Sequence, residues 1–98
     1  GAVLVNTARG GIVDEQALSD ALSSGQIYAA GIDVFEREPV SLENPLLAHS
    51  NVVVAPHIGS ATALTRARMA DIAADNAMAA LRGQPMPHCA NPEVYGGD

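Results

Sequence analysis

Residues 1–34, GAVLVNTARGGIVDEQALSDALSSGQIYAAGIDV, decide how the chain folds. Ala2 to Val5 is a short apolar run rich in β-branched side chains and ends at Asn6, the pattern of a buried strand. Asp14 supplies a helix cap, and Glu15 in the next turn is favoured by the helix dipole. Ala17, Leu18, Ala21 and Leu22 then recur at helical spacing and predict one apolar face. Gly25 offers the left-handed stop after Ser23 and Ser24. Ile27 to Val34 predicts a second strand, in which Gly31 permits close backbone approach.

Working outward, Phe35 to Ser50 contains Pro39 and Pro45 among polar residues and predicts a long loop with at most a short helix near Leu46 and Leu47. Long ordered loops in compact domains tend to carry function. Asn51 to Ala55 predicts a third strand stopped by Pro56, and Ala61 to Arg82 a long helix stopped by Gly83. Pro85, Pro87 and Pro92 make the tail irregular. Strand, helix, strand, loop, strand, helix is the order of an α/β protein with a doubly wound parallel sheet. Met69, Ile72, Ala73 and Ala80 form one stripe on the long helix, and Ala70, Ala74, Ala77 and Leu81 another. An apolar helix of that kind is normally covered on more than one side.

Composition narrows the function. The 98 residues suit one small domain, and 48% apolar content supports a packed core. A net charge of −6 with five basic residues and 3% aromatics argues against a nucleic-acid surface. No apolar run nears the roughly 20 residues that span a bilayer, so no membrane partner is expected. The single cysteine, Cys89, has no partner for an internal disulfide, which suits a reducing, cytoplasmic setting. The chain opens inside a strand without Met, and the expectation is a stretch of a longer polypeptide.

In open parallel sheets, ligands bind beyond the carboxyl ends of the strands. Arg9 follows the first strand, Asp33 and Glu38 the second, and His57 the third. Each has a plain structural reading by itself, as a surface cation, a turn cap, a solvated loop acid or a satisfied histidine. Their convergence on one sheet edge favours chemistry. A guanidinium binds a carboxylate with two parallel hydrogen bonds. An imidazole delivers a proton to a carbonyl oxygen as hydride arrives, and a neighbouring carboxylate fixes its tautomer and stabilises the imidazolium. Gly59 allows close approach of a ligand to the backbone. His49 and His88 lie in a polar loop and a Pro-rich tail, where the structural reading prevails.

At these residues the sequence resembles the D-isomer-specific 2-hydroxyacid dehydrogenases. The segments concerned are Asn6-Thr7-Ala8-Arg9-Gly10-Gly11-Ile12-Val13-Asp14, Gly31-Ile32-Asp33-Val34-Phe35-Glu36-Arg37-Glu38-Pro39, Asn44-Pro45-Leu46-Leu47 and Asn51 through Thr62. The similarity runs in order from Gly1 to about Pro87. It implies an oxidoreductase that reduces small 2-keto acids to D-2-hydroxy acids with NAD or NADP, and no metal. By resemblance Arg9, Glu38 and His57 are catalytic, with Glu38 rather than Glu36 paired to His57. Thr7, Ala8, Arg9, Asp33, His57 and Gly59 would contact cofactor, with Asp33 facing the nicotinamide carboxamide. Arg9, His57 and Ser60 would contact substrate.

Thr65-Arg66, Met69 and the ending Leu81 through Pro87 resemble the glyoxylate and hydroxypyruvate reductases. The resemblance further implies a Rossmann-type fold. Residues 1–82 would be the C-terminal half of the nucleotide-binding domain, including a long crossover helix, and 83–98 an irregular tail returning to a substrate domain. A full-length relative would be a homodimer. No G-x-G-x-x-G occurs, nor the residue that chooses between NAD and NADP. The chain alone is therefore expected to be inactive. Formate dehydrogenases place Gln where Glu38 stands, which argues against them. Phosphite dehydrogenases and NADH-sensing transcriptional corepressors share much of the pattern and remain alternatives.

Overall fold

The computed structural model describes residues 1–96, so the end of the expected tail, Gly97 and Asp98, lies outside the described residues. The chain divides into two compact units, Gly1–Gly59 and Ser60–Asp98. The first holds a parallel sheet of three strands, β1 (Ala2–Asn6), β2 (Ile27–Ile32) and β3 (Val52–Val54), in that spatial order. In register, Val5 lies beside Gly31, which lies beside Val53. The sequence order therefore yields the expected α/β architecture, with β2 in the centre.

Helix α1 (Glu15–Ser23) connects β1 to β2. Asp14 Oδ1 accepts the Ala17 amide at 2.8 Å, as its type and position predict. Gly25 ends the connection at φ 75°. Leu18 and Leu22 are buried under the sheet, whereas Ala17 is exposed. The buried face is completed by Ser19, whose Oγ shares a 2.8 Å hydrogen bond with His49 Nε2. His49 thus has a structural part in the first unit. Leu18, Leu22, Ala30, Ile32, Phe35 and Leu46 make one core cluster, with Leu4 and Val52 packed against it. Burying each of the leucines contributes about 1.5–3 kcal/mol.

Element boundaries differ from the sequence reading, with β3 spanning Val52–Val54 rather than Asn51–Ala55. β2 stops at Ile32 rather than Val34, because Ile32 is the last residue paired on both sides, with Asn6 of β1 and Val54 of β3. Gly31 meets no backbone closely. An added Cβ would rest at 3.7 Å from a Val5 methyl, so the position leaves a flat patch of sheet rather than a tight contact. The face of the sheet opposite α1 is bare, with Val3 60% and Val53 74% exposed. Parallel sheets are normally covered on both faces.

The second unit contains α2 (Ala63–Leu81). It starts two residues later than expected, where Thr62 Oγ1 accepts the Thr65 amide. Gly83, at φ 68°, follows its end. Asn76 receives the tail: its Oδ1 accepts His88 N at 3.0 Å and its Nδ2 donates to His88 O at 3.2 Å. A short 3-10 turn, Pro92–Tyr95, interrupts the expected irregular tail, and the Tyr95 hydroxyl accepts the Met86 amide. No residue of α2 is buried, in keeping with apolar stripes that ask for further cover.

Candidate functional site

The three strand ends of the first unit carry the site. After β1, Asn6 is buried and folds the loop on itself: its Oδ1 accepts Ala8 N, and its Nδ2 donates to Arg9 O, each at 3.1 Å. Asn at the last position of a strand commonly makes this kind of local turn. Arg9 is exposed and its Nη1 donates to Ala8 O at 2.7 Å. Gly10 brings this loop against the next one, because an added Cβ would collide with the carbonyl of Phe35. Gly11 instead meets a conformational need, at φ 80°.

After β2, Asp33 is 6% exposed and organises the loop that follows β3. Its carbonyl accepts His57 N at 2.9 Å, its Oδ1 accepts Ile58 N and its Oδ2 accepts Gly59 N, both at 2.8 Å. Three successive amides thus wrap around one residue. To bring them there, His57 adopts φ 55°, in the left-handed region that non-glycine residues seldom enter. Such a conformation costs on the order of 1–3 kcal/mol and persists only where its surroundings enforce it. Gly59 is required beside the carboxylate, since an added Cβ would sit 3.1 Å from Asp33 Oδ2.

This turn points the His57 ring at Glu38. His57 Nδ1 and Glu38 Oε2 are 2.7 Å apart, while Glu38 Oε1 accepts the Phe35 amide at 3.1 Å. The hydrogen bond from His57 holds the Glu38 carboxyl below its ordinary 4.5, helped by the Phe35 amide and by the charges of His57 and Arg9. Glu38 and His57 remain solvent-accessible, at 38% and 40%. With Nδ1 engaged by the carboxylate, Nε2 is the ring atom left to face a ligand.

Two hollows meet at Asp33. One, of about 460 Å³, is bordered by Asp33, Glu38, Val40, Ala55 and His57. The other, of about 300 Å³, has an apolar floor of Val5, Gly31 and Val53, with Thr7, Asp33 and Gly59 around it. A flat apolar floor beside a buried carboxylate fits a planar heteroaromatic ring bearing a carboxamide. Each Asp33 oxygen holds one amide and keeps a further lone pair for such a group.

Of the residues singled out from sequence, Glu38 and His57 are joined directly, and Asp33, Gly59 and Thr7 share the apolar hollow. Arg9 is not hydrogen-bonded to the pair and acts on Glu38 through its charge. Ala8 contributes backbone atoms to the Arg9 loop. Ser60 is exposed and is the first residue of the second unit. Among the described residues, no group of three or more His, Cys, Asp or Glu is placed to hold a metal ion.

The family model for the NAD binding domain of D-isomer specific 2-hydroxyacid dehydrogenases matches residues 1–59, the same span as the first compact unit. A glyoxylate/hydroxypyruvate reductase B from Escherichia fergusonii is 56% identical over 95% of this chain. The chain spans 29% of that relative's length. An NADPH-dependent glyoxylate/hydroxypyruvate reductase from Sinorhizobium meliloti, solved with NADP and malonate, superposes with a TM-score of 0.71. It is 49% identical, covering 79% of this chain and 24% of its own. A D-isomer specific 2-hydroxyacid dehydrogenase from Xanthobacter autotrophicus, solved with NADPH and MES, gives 0.76 at 41% identity, covering 96% and 38%.

Proposed function

This chain belongs to the D-isomer specific 2-hydroxyacid dehydrogenase family, and we propose that, within a longer polypeptide, it supplies the acid–base half of a reductase for small 2-keto acids. Glyoxylate and hydroxypyruvate are the proposed substrates, in line with the activity named for its relatives. The observation that carries this reading is the 2.7 Å contact between Glu38 and His57, which line the larger hollow beside Asp33. NAD or NADP, when bound, supplies the hydride. Its ring would lie on Val5, Gly31 and Val53, near Thr7 and Gly59, with the carboxamide toward Asp33.

The chain's own residues then divide the work. Arg9 turns its guanidinium from the Ala8 carbonyl to the substrate carboxylate, a charge-assisted and bidentate contact that orients the carbonyl. His57 gives the proton on Nε2 to the carbonyl oxygen, and Glu38 fixes its tautomer through Nδ1 and stabilises the imidazolium that gives up that proton. Ser60 would border the substrate. In the whole protein, residues 1–82 would complete a nucleotide-binding domain and 83–98 would lead back to a substrate domain. The bare sheet face and the stripes of α2 would then be covered, in a cytoplasmic homodimer.

The test is kinetic, on the intact protein with glyoxylate and a reduced nicotinamide. His57→Gln should lower kcat roughly 10²–10⁴-fold, the usual contribution of a positioned acid. Arg9→Ala should act mainly through KM. Wild-type turnover in the His57 variant would overturn the assignment. Binding of the nucleotide without useful turnover by the unaltered protein would favour a sensing module instead.

A further inference from the structure

The connection from Phe35 to Asn44 carries Glu38, yet it is gripped from outside by a residue with no place in the proposed chemistry. Glu15, in the first turn of α1, spans it. Its Oε1 accepts the Glu36 amide at 2.8 Å, and its Oε2 accepts Asn44 Nδ2. Asn44 passes the constraint on, since its Oδ1 accepts the Leu46 amide at 3.0 Å and caps the turn that buries Leu46. The Glu36 amide adjoins the Phe35 amide, which is the one bound by Glu38 Oε1. Neighbouring peptides of one loop are therefore held by two carboxylates, one from the helix and one from the site.

We propose that Glu15 is a positioning residue: by clamping Glu36 and Asn44 it holds the Glu38 carboxylate against His57. It touches neither the hollow nor the pair. A loop fastened only at Gly10 and Leu46 would let Glu38 exchange His57 for water, and a misplacement of about 1 Å can cost 10²-fold in rate. This inference rests on the acid–base reading for its kinetic consequence, though not for its structural one. The groups acting on Glu38 are His57, the Phe35 amide and the Arg9 charge, while Asp33 borders the same hollow. Glu36 and Arg37 are its own sequence neighbours.

The experiment uses Glu15→Ala, Glu15→Gln and the double change Glu15→Gln with Asn44→Asp. Gln offers one acceptor, so it keeps the Glu36 amide and sets its NH₂ against that of Asn44. Asp at 44 would accept from that NH₂ and still receive the Leu46 amide. In the 98-residue chain, carbon-detected titration should show the Glu38 carboxyl rising toward 4.5 in Glu15→Ala, less in Glu15→Gln, and restored in the double variant. In the intact protein kcat should fall roughly 10–100-fold in Glu15→Ala with KM for the keto acid little changed. The double variant should regain most of that loss.

An unmoved Glu38 titration in a folded Glu15→Ala chain would overturn the proposal, as would a double variant no better than Glu15→Gln. A variant that fails to fold is replaced by Glu15→Gln, for which the same two outcomes decide. If Glu38 responds as stated while His57→Gln keeps full turnover, the positioning role stands and the acid–base reading falls.

Discussion

Asp33 and Glu38 lie on the same connection after β2, yet the chain treats the two regions around them in opposite ways. Asp33 draws its partners from a single distant segment, the loop after β3. One buried residue collects three consecutive amides from 57–59, and a left-handed histidine results. The strap around Glu38 bonds within itself, with the Phe35 amide on Glu38 and the Glu43 and Asn44 amides on Ser41, and is also fastened from outside. It is held by Glu15 from the helix, by Gly10 from the loop after β1, and by His57 at the carboxylate. The lesson is about division of labour between like charges. The buried carboxylate builds the geometry, and the exposed one stands in solvent beside His57.

Substitutions can break that contrast in order of expected effect. Asp33→Ala should be the most damaging, since it strips the charge-assisted bonds from the Ile58 and Gly59 amides and leaves the left-handed His57 held only by the backbone carbonyl of residue 33. A loss of about 3 kcal/mol is expected, read by denaturant unfolding, with both hollows disordered. Gly10→Ala should cost about 1–3 kcal/mol, the range for forcing atoms into a packed site. It should also separate the Arg9 loop from the strap, visible as a changed Glu38 resonance. An unaltered unfolding midpoint would show that the two loops yield freely.

Glu38→Gln should be the mildest in stability and the most informative in pH. The folded carboxyl titrates below 4.5, so its stabilising share is complete above that value. It is lost as pH falls through the lowered value. Unfolding midpoints of the parent and Glu38→Gln should therefore differ in the mildly acidic range above 4.5 and converge as the solution is made more acidic. Parallel curves throughout would mean that the carboxylate is not engaged by His57.

Much of this was legible in the sequence because the signals were local. The apolar runs gave β1 and β2, Asp14 stands where α1 begins, and the order of strands placed Arg9, Asp33, Glu38 and His57 at one edge. What escaped were pairings distant in sequence. Glu15 reads as a helix-dipole residue until its bonds to Glu36 and Asn44, 21 and 29 positions away, are seen. Gly10 and Gly11 read alike, though one meets a need for space and the other a need for positive φ. The Asn6 turn escaped as well, although an Asn closing a strand is a recognisable turn signal. The shortened β2 follows from where its neighbours end, at Asn6 and Val54, which the apolar pattern through Val34 conceals.

The backbone of His57 has a consequence for which residues position 57 will accept. At φ 55° the main chain suits glycine or asparagine better than an imidazole. A library randomised at that codon and sorted only for folded protein should enrich those two residues over the native one. Sorted for keto-acid reduction by the intact protein, the same library should return histidine. The two rankings would disagree at this position, while at Leu46, fully enclosed in the core, they should coincide.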